Sequence, residues 1–202
     1  HLSLRRQRQM CIRDRAHPDG SASEALARLY GVWSDGGSGI LLSGNIQVDG
    51  DHLERPGNVV VDNELSETAF NALAEMATQG TRAGNHLWAQ ISHAGRQTQK
   101  LVNPSPKAPS AVRIRLPQSQ FGEPIALTGP EIEALIERFV NCAVICKRAG
   151  FTGVQFHAAH GYLLSQFLSP LTNQRDDQWG GCLENRALSL IHISEPTRRR
   201  GI

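Results

Sequence analysis

The sequence predicts an α/β fold: a partial TIM-type (β/α)8 barrel covering about strands 2 to 4 and their helices. Three observations predict it. Helical and strand patterns alternate along the chain, as parallel strands joined by crossover helices require. Each strand pattern runs into polar side chains at its C-terminal end, the arrangement of a barrel with its site on one rim; an open sheet would gather them at one switch point. No GxGxxG follows a strand, which disfavours a dinucleotide-type sheet. A complete barrel takes about 250 residues. This chain has 202, and three strands do not close a barrel, so the expectation is an internal piece with units missing on both sides.

The elements follow in order. Ser21 and Glu24 form a capping-box pair, and Leu26, Leu29, Tyr30 and Trp33 then mark one helix face before Gly36 and Gly37 stop it. Ile40–Leu42 is a short apolar run of the kind that makes a buried parallel strand, ending at Ser43, Gly44 and Asn45. A second helix is expected from Ser66 to Gln79, with Phe70, Leu73, Ala74 and Ala77 on its buried face, and a second strand over Leu87–Ile91. The stretch from Gln97 to Leu127 holds Pro104, Pro106, Pro109, Pro117 and Pro124. It reads as a long loop without regular structure, and such loops in compact domains are functional or disordered. A third helix starts at Thr128, with Glu131 three residues on, buries Ile132, Leu135, Ile136, Phe139 and Val140, and closes at Gly150. Gly153–Phe156 is the third strand, and a fourth helix begins near Leu183–Arg186.

Composition excludes more than it assigns. A net charge of +2 indicates no nucleic-acid or membrane partner, and no apolar run reaches the roughly 18 residues of a membrane span. Cys11, Cys142, Cys146 and Cys182 lack zinc spacing and read as reduced thiols of a cytoplasmic protein. Basic residues crowd both ends: Arg5, Arg6, Arg8, Arg13 and Arg15 at the start, Arg198, Arg199 and Arg200 at the finish. The string Arg5–Asp14 resembles one reading frame of a tagmentation sequencing adapter, and Leu188–Arg198 a frame of its partner. The expected organisation is therefore adapter-like tails over 1–15 and 188–202, outside the fold, flanking a partial barrel over 16–187.

The chemistry concentrates after the third strand. His157, His160 and Tyr162 lie within six residues. Two neutral imidazoles can each donate an N–H to one oxygen, holding a substrate carbonyl and stabilising charge that develops on it; a nearby phenol can supply a proton. A lone histidine would read first as a hydrogen-bonded structural residue; the cluster at this location reverses that preference. The rival is a metal-dependent barrel hydrolase with His157 and His160 as zinc ligands, although the nearest downstream carboxylates, Asp176 and Asp177, lie far along a polar loop. Gln90 carries an amide suited to a flavin ring edge or to any buried polar group, and Asn45 reads likewise. His93 and Arg96 beside Gly95 read as a site or as a polar loop.

At this point a resemblance becomes specific. His157–Pro170 with Asn173–Arg186 resembles the signature of the Old Yellow Enzyme family of NADH:flavin oxidoreductases, and Ala89–Arg96 is similar to that family's motif at the end of barrel strand three. Leu29–Trp33 and Gly39–Asn45 resemble its first helix and second strand. The resemblance implies an ene-reductase: FMN, reduced by NADH or NADPH, delivers hydride to the C=C bond of an α,β-unsaturated carbonyl compound, an enone or dienoyl-type small molecule. It implies that Gln90 bonds the FMN pyrimidine edge and Asn45 sits near the same ring system, that His157 and His160 bind the substrate oxygen or contact the flavin edge, that Tyr162 is the candidate proton donor, and that Arg175 organises the loop before helix four; no metal ligand is expected. It leaves homo-oligomerisation of the parent open. The family's first strand, a later arginine facing the flavin and the phosphate site after strands seven and eight have no counterpart here, so the fragment is expected to lack FMN and activity.

Overall fold

The computed structural model describes residues 14–116, 120–199 and 201; Cys11 and the arginines at 5, 6, 8, 13 and 200 lie outside them. The chain forms α1 (Glu24–Asp35), β1 (Ile40–Gln47), β2 (Val59–Val60), α2 (Glu67–Thr81), β3 (His86–Ser92), β4 (Lys107–Ala108), β5 (Ile125–Ala126), α3 (Gly129–Arg148), β6 (Gly153–Phe156), α4 (Leu163–Leu168) and α5 (Leu183–Arg199). The main sheet is parallel throughout, in the order β2-β1-β3-β6. β1, β3 and β6 are the three expected strands. β2 adds a short edge strand, and β4 pairs β5 inside the stretch expected to be irregular. Among the described residues no helix is long and apolar enough to cross a membrane.

Local chemistry explains the boundaries. α2 starts where Ser66 Oγ accepts the N–H of Ala69, and α3 where Thr128 and Glu131 complete a reciprocal capping box. α1 is capped by Ser23 and not by Ser21. Ser21 is engaged elsewhere: its N–H and hydroxyl both donate to Asp19 Oδ1, at 2.9 and 2.7 Å.

The strands bury one face under the helices. Leu87, Ala89 and Ile91 are fully enclosed with Leu26, Tyr30, Leu73, Met76 and Phe139. The opposite face, which a closed barrel fills with packed side chains, is partly open: Ile40 is 58% exposed and Trp88 39%.

β1 is longer than the sequence pattern suggested. It does not end at Asn45 but continues to Gln47 through a bulge, where Leu42 pairs Trp88 and Asn45 pairs Gln90. Two residues of β1, Ser43 and Gly44, thus face one of β3. The bulge leaves backbone groups without ladder partners, and side chains take them: the Gly44 N–H donates to the Tyr30 hydroxyl oxygen at 2.7 Å, and the Gln90 N–H to Ser43 Oγ at 2.8 Å.

The ends also depart from expectation. α5 does not stop at Ala187. Residues 188–199 continue it against α3 and α4, burying Ser189, Ile193 and Thr197 four residues apart. Asp14, at the other end, has its side chain 7% exposed and bound to Arg55 and Asn58. The described parts of both flanks thus pack in part on the fold, while Arg15, Arg198 and Arg199 are exposed.

Candidate active site

Strand alternation and the bulge together make the site. Side chains along a strand alternate between faces, so Leu42 and Asn45, three apart, share a face only because the bulge adds a residue between them. Asn45 then lies beside Gln90 in register, and Gln90 beside Gln155 of β6. The Gln90 amide donates to Gln155 Oε1 at 2.7 Å. His157, two residues beyond Gln155, extends the same ladder through its N–H to the carbonyl of Ile91 at 2.9 Å.

A tight turn then brings the next two residues back. His160 and Gly161 both adopt positive φ, 56° and 76°. A non-glycine residue in that region is costly and clusters at functional sites. The turn is held from outside: Gln97 Nε2 donates to the carbonyl of His160 at 2.7 Å, and the buried Gln166 Nε2 donates to those of Gly161 and Ala94.

The result is one cavity of about 280 Å³ lined by Asp14, Leu42, Gly44, Asn45, Glu54, Gln90, His157, His160 and Tyr162. All five residues singled out from sequence meet there. Larger depressions lie on the outer helical surface, away from these groups.

Hydrogen bonds assign the imidazole protons. The Ala159 N–H donates to His157 Nδ1 at 3.3 Å, so His157 carries its proton on Nε2. That nitrogen lies 3.2 Å from His160 Nδ1, which accepts, leaving the Nε2–H of His160 to face a ligand. The two rings therefore form a chain of donors instead of both aiming outward. Burial, with the neighbouring His160 second, lowers the pKa of His157 and keeps it neutral. Burial raises the pKa of Tyr162, and its bond to Glu54 adds to the effect, so the phenol stays protonated. Glu54 was not legible as a site residue; its Oε2 accepts from the Tyr162 hydroxyl and from Asn45 Nδ2, the latter at 2.8 Å. Gln155 was missed too, although it stands two residues before His157 on the same strand face.

His93 is not in the cavity. It stacks on His52 at 4.5 Å beside Asp49. These three could in outline hold a metal, but their protons argue otherwise. His52 Nε2 accepts the Lys107 N–H at 2.8 Å, and His93 Nδ1 accepts the Gly95 N–H at 3.0 Å. Each ring therefore turns a protonated nitrogen, not a lone pair, toward Asp49. Arg138 supplies the cation, 3.2 Å from the carboxylate. Arg175 ties loops together, donating to the carbonyls of Pro109 and Leu127 and pairing with Asp177.

The cavity suits part of a flavin. Asn45 Oδ1 is buried and has no hydrogen-bond partner, an acceptor for a ring N–H, and the Gln90 amide stands beside it. Among the described residues the lining contains two carboxylates and no lysine or arginine, so they offer the phosphate of FMN no cationic partner.

Comparison with known proteins agrees with this reading of the fold. The NADH-dependent flavin oxidoreductase nadA of Aspergillus parasiticus is 38% identical over 191 residues, covering 92% of this chain and 43% of the relative. NADH oxidase of Thermoanaerobacter brockii is 40% identical over 182 residues, covering 88% and 27%. The chain thus spans less than half of either. The old yellow enzyme homologue of Zymomonas mobilis superposes with a TM-score of 0.83 at 28% identity, over 92% of this chain and 53% of that one; the chain is a partial TIM barrel. Residues 6–200 match the NADH:flavin oxidoreductase / NADH oxidase family, whose cofactor is FMN, and the chain belongs to that family, the family of the old yellow enzymes.

Proposed function

We propose that this chain is the substrate-gripping part of an FMN-dependent oxidoreductase that reduces the C=C bond of α,β-unsaturated carbonyl compounds with NADH or NADPH. The observation that carries the reading is the single cavity joining Asn45, Gln90, His157, His160 and Tyr162 at the C-terminal ends of three parallel strands. Gln90 and the unpartnered Oδ1 of Asn45 would hold the polar edge of the flavin. The His160 Nε2–H, backed by the His157 Nε2–H, would donate to the substrate carbonyl and polarise it. Tyr162, kept protonated, would supply the proton that completes saturation. Reduced FMN, when bound, supplies the hydride. A metal-dependent hydrolase is not favoured, since both histidines use one another as partners. Residues 16–187 carry this chemistry; an adapter origin for 1–15 and 188–202 rests on the reading-frame resemblance, and sequencing the source gene across both junctions tests it.

Function is tested at two levels. Riboflavin, the flavin ring without phosphate, should be quenched by the purified chain, and Gln90→Leu should weaken binding at least fivefold. A chimaera carrying residues 16–187 within the full-length Aspergillus relative should consume 2-cyclohexenone with NADH or NADPH, and His157→Ala with His160→Ala should abolish that. A chimaera that holds flavin and oxidises NADH without consuming the enone would overturn the proposal.

A further inference from the structure

The loop between β1 and β2 sends one carboxylate into the cavity. Glu54 has its side chain 10% exposed. Its Oε2 receives the Tyr162 hydroxyl and, at 2.8 Å, the Asn45 amide. Its Oε1 receives the Asn58 amide at 3.5 Å and faces Arg55 Nε at 3.9 Å. The donors come from three places in the chain: the bulged strand, the loop itself and the turn before α4. A carboxylate accepts and never donates when ionised, so it fixes the direction of every N–H and O–H that reaches it.

We propose that Glu54 is a positioning residue of this site, holding the Tyr162 hydroxyl and the Asn45 amide from one carboxylate oxygen. The proposal rests on the enone-reductase reading for its purpose, because those are the groups that would give a proton to the substrate and meet the flavin edge. With Nδ2 engaged by Glu54, Asn45 is obliged to present Oδ1, the atom that has no partner, to any ligand. With its hydrogen donated to Glu54, Tyr162 is held protonated and at a fixed torsion in the unliganded chain, and that hydrogen must swing from Glu54 toward the substrate before it can be transferred. A carboxylate at this depth also makes the cavity wall anionic, favouring an uncharged carbonyl over a carboxylate as the group bound.

Tyr30 and Tyr162 are the chain's only tyrosines, so Tyr162 is read by difference against Tyr162→Phe. The test uses the full chain without flavin, NADH or enone, so its failure is separate from failure of the enone reading. At neutral pH, proton NMR of the wild type should show a slowly exchanging hydroxyl resonance that Tyr162→Phe removes. Glu54→Gln should shift it and speed its exchange at least tenfold, and Glu54→Asp should restore most of the protection. Phenolate absorbance should place ionisation of Tyr162 above the ordinary phenol value of about 10, and Glu54→Gln should bring it down by at least one pH unit. If Glu54→Gln fails to fold by circular dichroism, the wild-type resonance and Glu54→Asp decide. A Tyr162 hydroxyl that exchanges freely in the wild type, or protection unchanged in a folded Glu54→Gln chain, would overturn the proposal.

Discussion

Mild acid should destabilise this chain through one buried imidazole. His93 is 2% exposed, and burial lowers its pKa from 6.5 to about 4 despite Asp49 beside it. The hydrogen bonds give a second reason. Protonation would put a hydrogen on Nδ1, which already faces the Gly95 N–H at 3.0 Å, so two donors would oppose each other. The folded pKa lies below the unfolded one, so between pH 6.5 and 4 the unfolded chain binds a proton that the folded chain refuses. Stability then falls as pH falls, by up to about 1.4 kcal/mol per pH unit. Above pH 6.5 both states are neutral and the effect vanishes. Between pH 7 and 4.5 His93 should cost about 2.5 kcal/mol. Asp49, whose burial is outweighed by His52 and His93 so that it is held far below the usual carboxylate range, acts with the same sign in a lower window. Its stabilisation is present above the unfolded carboxylate value and is lost only below the pH range tested. His157, also lowered, adds to the acid sensitivity, so a variant is needed to isolate His93. His93→Asn keeps an acceptor for Gly95 and does not titrate. Urea unfolding followed by circular dichroism, at pH 7 and 4.5, should show the variant losing about 2.5 kcal/mol less than the wild type. Equal losses in both would refute the assignment.

Three further outcomes follow from the geometry. Tyr30→Phe leaves the Gly44 N–H of the bulge without its 2.7 Å partner and should cost about 1–3 kcal/mol, read as a lower urea midpoint with unchanged slope. Thr128→Ala removes the α3 capping box and should cost about 1 kcal/mol in the same assay. FMN should bind the chain no more than about threefold tighter than riboflavin, because even one charge-assisted hydrogen bond to phosphate is worth about 1.5–3 kcal/mol, over tenfold in affinity, and among the described residues the cavity lining offers none. A chain that purifies stoichiometrically yellow would contradict that last expectation.

The legible parts of the fold were those governed by local pattern. Thr128 with Glu131, the buried stripe of α3 and the strand at Gly153–Phe156 stand where periodicity and capping placed them. Ser21 did not cap α1, because the rule counts spacing and does not see Asp19 competing for the hydroxyl. The bulge in β1 was invisible for a stronger reason. It is defined by the register against β3 and stabilised by Tyr30 from another element, neither of which is local information. Asn45 was nevertheless picked out, since a polar residue after an apolar strand is a local signal. Glu54 carried no such signal: it sits in a polar loop nine residues beyond Asn45, and only tertiary folding brings it to Tyr162, 108 positions away. The packing of residues 188–199 was missed because origin and foldability are different questions. Ser189, Ile193 and Thr197 present small and apolar groups at helical spacing, which is enough to dock on α3 whatever wrote the sequence.

The segment from Asp49 to Asn58 links stability to the site. At its start Asp49 is gripped by His52 and Arg138 at 3.0 and 3.2 Å, and the carbonyl of His52 accepts the Ala94 N–H at 3.2 Å, fastening the loop to the end of β3. At its finish Asn58 donates to Asp14 and to Glu54. Glu54 lies between these anchors, so the position of its carboxylate is set by groups on β3, α3 and the chain's first described residue. A buried charge network of this kind stabilises little in net terms, because desolvation offsets the attraction. Its consequence is geometric: with both ends of the loop fixed, the Glu54 carboxylate is held against Tyr162 and Asn45.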